Sequence, residues 1–294
     1  MEYNLEMWKY ARKLKRTASD KAQGHEHIPN RQTRLMGVDV SINSHGLRDK
    51  EISLNKNPGT KRVLMLGDSI TFGWGVADDN TVSTRLEQLI NKAEKNDHFE
   101  VLNTGVGNTN TEMQVAYFLN EGFKYSPDFV ILNYFINDAE LTPRPNKNPL
   151  MKYSMAYVYF SLKWESIWRR YFGGKNWQEY YTDLYSKEKK GWEKTKVAIQ
   201  RLSEYSKANK VKLLIVNYPE LHQLSDYPFS EVSGKVKKIA ENLEVPYLDL
   251  LPHLEGRDEN QYWVSQQDQH PNSFACSVIA QAILESLNKT FSPN

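Results

Sequence analysis

Beyond position 60, hydrophobic residues are grouped in five short and almost continuous apolar runs, at residues 63–66, 100–103, 129–132, 212–216 and 246–250. Such runs are typical of parallel strands that are covered on both faces. Longer segments with helical periodicity occur at about residues 80–95, 110–124, 189–209, 230–243 and 273–288. This alternation predicts an α/β protein, a three-layer α/β/α sandwich around a parallel five-stranded sheet with right-handed crossovers.

The first 60 residues follow a different pattern, with few apolar positions and more Pro, Gly and Asn from residue 28 onward. Residues 1–24 place apolar side chains among basic ones, which predicts an amphipathic helix with a solvated basic face. The alternating stretch Val38–Ile42 predicts a strand. Because this region has too little apolar content for its own core, we expect an extension, residues 1–60, packed on a larger domain, residues 61–294.

The charges of the chain nearly balance, with 38 Lys and Arg against 36 Asp and Glu. This excludes the basic excess of nucleic-acid-binding proteins, so no nucleic-acid partner is expected. The single cysteine, Cys276, excludes an intrachain disulfide and a multi-cysteine metal site. The first residues lack a secretory signal pattern, and no apolar run reaches about 18 residues. We expect a cytoplasmic protein, or a periplasmic or membrane-anchored one if the sequence belongs to a longer chain.

Candidate chemistry follows the first apolar run, where Gly67, Asp68 and Ser69 come directly after a predicted strand. Parallel sheets place their sites at the carboxyl ends of strands, so Ser69 is a candidate nucleophile. Turn formation also accounts for these residue types, and the tripeptide alone leaves both interpretations open. His270, predicted on a loop just before the last helix, is a candidate base for Ser69, and Asp268 is a candidate acid that orients the imidazole.

Two more loops follow predicted strands and carry hydrogen-bond donors. Asn137, after the third strand, has a side-chain amide that can donate to a developing oxyanion. The glycine-rich loop around Gly107 and Asn108, after the second strand, can aim backbone N–H groups in the same way. If these loops converge with Ser69 and His270, they meet the needs of acyl transfer: a nucleophile, a base, an orienting acid and oxyanion donors.

With these blocks in this order, residues 61–290 resemble the SGNH or GDSL-type hydrolases. The resemblance is carried by Gly67-Asp68-Ser69, Gly107-Asn108, Asn137-Asp138 and Asp268-Gln269-His270-Pro271. It implies a flavodoxin-like fold with Ser69 as nucleophile, His270 as base and Asp268 as its partner. It also implies an oxyanion hole formed by the Ser69 N–H, a backbone N–H of the second block and the Asn137 amide. No metal or organic cofactor is expected.

The sequence departs from the family pattern in three places. Asn108 stands where the family has its second-block glycine, with Gly107 beside it, so the inward N–H is open between the two. Phe135 replaces a glycine two residues before Asn137, and its ring is expected to narrow the acyl pocket. The spacing Asp-x-x-His is Asp-x-His here, and Asp268 remains the candidate acid because a loop can bring it to the imidazole.

Further residues near the blocks are candidates for substrate binding. Asp68, Trp74 and Phe135 either line the pocket or pack beside it. Arg48 either faces an anionic substrate or forms an ion pair with an acid such as Asp49 or Asp68. The His-x-His pair at residues 25–27 has no third ligand nearby, so a zinc site is not expected.

Aromatic residues are concentrated between positions 153 and 192, in an insertion expected at about residues 145–192. They suit stacking on sugar rings, contact with an acyl chain, or a helical cap with its own core; contact with a membrane surface is not expected. The hypothesis is a serine-dependent esterase that removes small acyl groups, such as O-acetyl, from a carbohydrate or similar substrate. The alternatives are a lysophospholipase, thioesterase or acyltransferase with the same residues, and a non-catalytic glycan-binding module.

Overall fold

The computed structural model describes residues 2–94, 97–142, 150, 154, 157 and 176–291. The N-terminal part contains a helix and two antiparallel hairpins, formed by α1 (Glu2–Leu14), β1 (Lys15–Thr17), β2 (His25–His27), β3 (Arg31–Leu35) and β4 (Val38–Ile42). The last of these strands has the bounds that the sequence predicts. The predicted length of the first helix is wrong, because α1 ends at Leu14 and not near residue 24.

A local turn explains why α1 stops early. The Asp20 carboxylate accepts hydrogen bonds from the backbone N–H groups of Ala22 and Gln23, at 2.6 and 3.0 Å. Gly24 then adopts a left-handed conformation at φ 72°, which glycine does without strain. Together these features close the β1–β2 hairpin and override the helical periodicity of the stretch.

Five parallel strands form the central sheet: β5 (Thr60–Leu66), β6 (His98–Asn103), β7 (Phe129–Tyr134), β8 (Lys212–Asn217) and β9 (Tyr247–Asp249). Their order across the sheet is β6-β5-β7-β8-β9, which is the flavodoxin-like arrangement. The predicted fold class is therefore confirmed. The winding direction reverses between β5 and β7, so a crevice is expected at the carboxyl ends of the central strands.

Within the described residues, helices follow or connect these strands: α2 (Ser69–Phe72), α3 (Val82–Ala93), α4 (Thr111–Asn120), α5 (Trp177–Leu184), α6 (Lys190–Asn209), α7 (Ser230–Asn242), α8 (Leu251–Leu254) and α9 (Ser273–Phe291). Alternate strand residues point to opposite faces of the sheet. Leu64 and Leu66 share a core with α4, α6 and α7, whereas Val63 and Met65 share one with α3 and α9. The sheet is thus the middle of three layers. A hairpin of β10 (Trp263–Ser265) and β11 (Asp268–Pro271) precedes α9.

The N-terminal part shares a core with the segment that follows β5. Its apolar cluster consists of Tyr10, Leu14, Leu35, Val40 and Ile42 together with Phe72 and Trp74. The Tyr10 ring centroid lies 5.1 Å from that of Phe72 and 5.7 Å from that of Trp74. The N-terminal part therefore packs directly beneath the chain segment that carries Ser69.

Most of the predicted aromatic insertion, residues 145–192, lies outside the described residues. Its described portion is three single positions and residues 176–192, which contain α5 and the beginning of α6. Among the helices that the structure describes, none combines the length and the apolar character needed to cross a membrane.

Candidate active site

The first sequence block places a serine at the carboxyl end of β5. Ser69 begins α2, and Asp68 caps this helix because its Oδ1 accepts a hydrogen bond from Ile70 N at 2.8 Å. Gly67 permits a close turn, since a Cβ there would lie 2.0 Å from Thr71 Oγ1. The Ser69 side chain is thereby held at the carboxyl ends of the strands, where ligand sites form in such folds.

A chain of hydrogen bonds joins Ser69 to residues near the C-terminus. Its Oγ lies 2.8 Å from His270 Nε2, and His270 Nδ1 lies 2.6 Å from Asp268 Oδ1. Asp268 and His270 both belong to β11, where the sequence pattern predicts a loop. Side chains two positions apart on a strand lie on the same face, which explains how the Asp-x-His spacing brings the carboxylate to the imidazole.

The second oxygen of Asp268 is bonded to a tryptophan. The Nε1 atom of Trp74, whose side chain is buried, donates a hydrogen bond to Asp268 Oδ2 at 2.8 Å. Burial raises the pKa of Asp268, but hydrogen bonds from His270 and Trp74 and the charge of His270 outweigh it and lower the pKa below its ordinary value. The acid is therefore ionised at neutral pH. Of the two interpretations of Trp74, lining the pocket or packing beside it, the geometry favours packing, because the indole is turned toward Asp268 and is not among the residues that line the cavity beside Ser69.

Asn137 lies on a 3₁₀ helix, Ile136–Ala139, directly after β7. Its Nδ2 donates to Asp68 Oδ2 at 3.3 Å, so one amide hydrogen remains for another acceptor. Asp138 holds this turn, because its Oδ2 accepts a hydrogen bond from Phe135 N at 2.9 Å. Both carboxylate oxygens of Asp68 are thus bonded within the site, one to the start of α2 and one to Asn137, and burial raises the pKa of its carboxyl.

The second block was expected to supply an oxyanion donor from the backbone N–H of either Gly107 or Asn108. The Gly107 N–H donates to the Tyr10 hydroxyl at 2.8 Å, so it is not available to an oxyanion. The Gly105 N–H donates to the side chain of Asn103, the last residue of β6, and the Val106 N–H donates to Gly67 O directly after β5. Asn108 has a left-handed φ of 63°, the conformation that suits the glycine it replaces. Among the described residues its N–H has no acceptor, so Asn108 remains the candidate donor.

Two histidines of the N-terminal part are connected to the second block, His25 directly and His27 through Tyr10. His27 Nε2 lies 2.7 Å from the Tyr10 hydroxyl, and His25 Nε2 lies 3.2 Å from Gly107 O. Burial lowers the pKa of His25 to about 4 and that of His27 to about 3, so both are neutral. Within the described residues, no group of three or more potential ligands gathers around a possible metal position.

Arg48 does not face a substrate. Its side chain is buried, pairs with Asp78 at 2.7 Å, and donates to three backbone carbonyl oxygens in the segment 72–76. Its acidic partner is therefore neither Asp49 nor Asp68. The guanidinium instead supports the turn that follows Ser69.

A cavity of about 220 Å³ opens beside Ser69 and His270. Its walls include Phe135 and Asn137 from the sequence blocks and Tyr181 from the aromatic stretch between positions 153 and 192. They also include two residues that the sequence did not indicate, Glu220 and His222. The last two follow the carboxyl end of β8, so the strand-end rule applied to the fourth strand would have found them. A larger cavity of about 660 Å³ lies between the N-terminal part and α4, away from the Ser69 side chain.

Residues 65–274 match the model of the GDSL-like lipase/acylhydrolase family. No curated protein matches the sequence.

Solved structures share the fold at low identity. A mutant of Axe2, an acetyl-xylooligosaccharide esterase from Geobacillus Stearmophilus, is 15% identical with a TM-score of 0.52, covering 80% of this chain and 97% of its own. LAE5, an α/β hydrolase from the metagenome of Lake Arreo, is 14% identical with a TM-score of 0.51, covering 77% and 94%. A two-domain esterase active on acetylated mannans is 18% identical with a TM-score of 0.50, covering 78% of this chain and 49% of its own.

This chain therefore spans about half the length of that two-domain esterase. The likeness to these structures concerns the fold, whereas the family match extends over more than half of the sequence and includes all four blocks. The chain belongs to the GDSL-like lipase/acylhydrolase family.

Proposed function

We propose that the protein is a serine-dependent carboxylic ester hydrolase in which Ser69 is the nucleophile, His270 the base and Asp268 the orienting acid. The observation that carries this proposal is the continuous series of hydrogen bonds, 2.8 Å from Ser69 to His270 and 2.6 Å from His270 to Asp268. These are the separations that proton transfer requires. The ionised Asp268 stabilises the imidazolium that forms when His270 takes the serine proton.

In the first half-reaction, Ser69 Oγ attacks the ester carbonyl carbon while His270 Nε2 accepts its proton. The oxyanion of the tetrahedral intermediate accepts hydrogen bonds from the Ser69 N–H, the Asn137 amide and a second-block N–H, for which Asn108 is the candidate. Collapse of the intermediate breaks the bond to the alcohol, which takes the proton from His270. Water then attacks the acyl-enzyme with His270 again as base, releasing the acid and restoring Ser69.

A small acyl group is the substrate part that best fits the site. Phe135 occupies a wall of the cavity of about 220 Å³ that opens beside Ser69, and a ring there leaves little room for a long chain. Two structures of the same fold are esterases whose names refer to acetylated xylooligosaccharides and acetylated mannans. We therefore infer removal of O-acetyl groups from a carbohydrate or a similar alcohol.

Hydrolysis of p-nitrophenyl acetate, butyrate and octanoate by the wild type and by Ser69→Ala tests the proposal. We expect kcat/KM to be highest for acetate and to fall by a factor of 10³ or more in Ser69→Ala, the order of magnitude of losing the nucleophile. A preference for octanoate would indicate a lipase-like substrate instead. Equal and negligible rates for both proteins would contradict the enzyme hypothesis and favour a binding module.

A further inference from the structure

A second carboxylate–imidazole pair lines the cavity that contains Ser69. Glu220 and His222 lie in the loop after β8, and both border the cavity together with Ser69 and His270. His222 Nδ1 is bonded to Glu220 Oε1, and the His222 backbone N–H donates to Glu220 Oε2 at 3.0 Å. Both carboxylate oxygens of Glu220 are therefore engaged by one histidine.

The two side chains differ in exposure. Glu220 is 8% exposed and His222 is 45% exposed, while the Glu220 N–H donates to the Tyr227 hydroxyl at 2.8 Å and fixes the loop. In the part of the chain that the structure describes, no other side chain bonds to the Glu220 carboxylate. Burying a carboxylate is costly unless it is paired, and here its one side-chain partner is an imidazole that reaches the cavity.

Indole rings hold the His222 ring in place. Its centroid lies 5.2 Å from that of Trp177 and 5.9 Å from that of Trp263, and Trp263 Nε1 is itself bonded to Leu221 O at 2.8 Å. Because Nδ1 is bonded to Glu220, Nε2 is the remaining polar atom of the ring. No described residue forms a hydrogen bond with it, so this atom is available to a ligand.

The imidazole of the pair carries a positive charge when it is protonated. Its hydrogen bond to Glu220 raises the pKa of His222 above the ordinary value, against the lowering effect of partial burial. Among the described residues that line the cavity there is no lysine or arginine. A protonated imidazole donates a shorter and stronger hydrogen bond to an anionic oxygen than a neutral one does.

We propose that Glu220 and His222 form a subsite that binds an anionic oxygen group, a carboxylate or a phosphate, on the ester substrate of Ser69. The carboxylate fixes the orientation of the imidazole and favours its protonated form, and the imidazolium donates a hydrogen bond to the ligand through Nε2. The subsite deepens the proposed function and rests on it, since its ligand is part of the ester that Ser69 attacks. It selects esters whose charged group can reach His222 while the ester carbonyl lies at Ser69.

Matched esters test the subsite. The probes are the three positional isomers of acetoxybenzoate and of acetoxyphenyl phosphate, each compared with the neutral methyl acetoxybenzoate of the same position. The readout is the ratio of kcat/KM for the anionic ester to that for the neutral ester, in which the ionisation of His270 cancels. At pH 6 we expect at least one isomer to be preferred, and His222→Gln to reduce its ratio about tenfold, as for loss of a charge-assisted hydrogen bond. The isomers that respond distinguish carboxylate from phosphate.

The pH dependence of the ratio has a defined sign. The preference is expected at pH values below the His222 pKa and is lost as the pH rises through it. Glu220→Gln removes the carboxylate that favours imidazolium, so the loss should occur at lower pH. In the described part of the chain, the other titratable side chains around this loop and cavity include Tyr181, Tyr227, Glu259, Asp268 and His270, together with Asp226 of the loop itself. These residues are retained in both variants, and they are present for both esters of a pair.

His253→Gln is the control, because His253 is an exposed histidine on α8 outside the cavity, and its ratio should equal that of the wild type. The subsite is refuted if no anionic isomer is preferred, or if the preference persists undiminished in His222→Gln. Failure of the wild type to cleave any of the esters, neutral ones included, would instead contradict the proposed hydrolase function.

Discussion

Asp268 accepts a hydrogen bond on each carboxylate oxygen, from His270 at 2.6 Å and from Trp74 at 2.8 Å. A carboxylate with two fixed donors cannot rotate about its Cβ–Cγ bond without losing one of them. The orientation of the imidazole toward Ser69 therefore depends on Trp74, which does not line the cavity beside the serine. At the scale of single residues, we therefore expect Trp74 to act as a positioning residue for the imidazole.

Replacing Trp74 by Phe removes the indole donor while keeping an aromatic ring. We expect kcat for p-nitrophenyl acetate to fall about tenfold, since a hydrogen bond to a charged group contributes about 1.5–3 kcal/mol. KM should change little, because Trp74 does not line the cavity. Steady-state kinetics of the purified variant measure both constants.

A double-mutant cycle separates positioning from packing. In an Asp268→Ala background, itself expected to lower kcat by about 10³ or more, Trp74→Phe should have little additional effect, because the side chain that accepts the indole hydrogen bond is absent. The control is Trp192→Phe, which should leave kcat unchanged. Trp192 is also a buried tryptophan, but it packs on Tyr185 outside the cavity. An equal loss from Trp74→Phe in both backgrounds would mean that the indole acts by packing alone.

At the scale of elements, the local hydrophobic pattern of the sequence predicts the strands of the central sheet. It does not predict the conformation of the loops that hold the site. The apolar runs at 63–66 and 129–132 lie inside β5 and β7, because burial on both faces leaves a continuous hydrophobic signal. The position of Asp268 on β11 was not predictable in this way, since β11 is short and pairs only with β10. The bond of Trp74 to Asp268 joins residues 194 positions apart and leaves no periodic signal.

The close contact between the second-block loop and α2 provides a prediction at the same scale. Gly105 packs so closely against α2 that an added Cβ would lie 2.3 Å from Phe72 N, and backbone atoms cannot move aside cheaply. Gly105→Ala should therefore lower the free energy of unfolding by several kcal/mol and reduce kcat, because it pushes the second block away from Ser69. Urea denaturation and ester hydrolysis measure the two effects.

The matched control for Gly105→Ala is Gly234→Ala, in α7. A Cβ on Gly234 would meet no atom within 4 Å, so alanine should raise the free energy of unfolding by about 0.5–1 kcal/mol through helix propensity. If both variants were as stable and active as the wild type, the close contact between the second-block loop and α2 would have no energetic importance.

At the scale of the whole molecule, the N-terminal part functions as a support for the site. Tyr10 contacts Phe72 and Trp74 on one side, and its hydroxyl is bonded to Gly107 N and His27 on the other. One residue of α1 thereby joins the loop after β5 to the loop after β6. The sequence indicated that this part lacks its own core, but not which residue joins it to the rest, because the bond from Tyr10 to Gly107 spans 97 positions.

Tyr10→Phe tests this support by removing a single oxygen. Gly107 N–H and His27 Nε2 both lose their bond to the hydroxyl. Leaving a buried polar group without a partner costs about 1–3 kcal/mol, so the free energy of unfolding in urea should fall by at least that amount. The same loop carries Asn108, the candidate oxyanion donor, so kcat should fall as well. The KM for p-nitrophenyl acetate should stay unchanged. Tyr205→Phe is the control: no described residue bonds to the Tyr205 hydroxyl, and both quantities should match the wild type. If Tyr10→Phe lost stability but kept full kcat, the N-terminal part would stabilise the fold without positioning the second block.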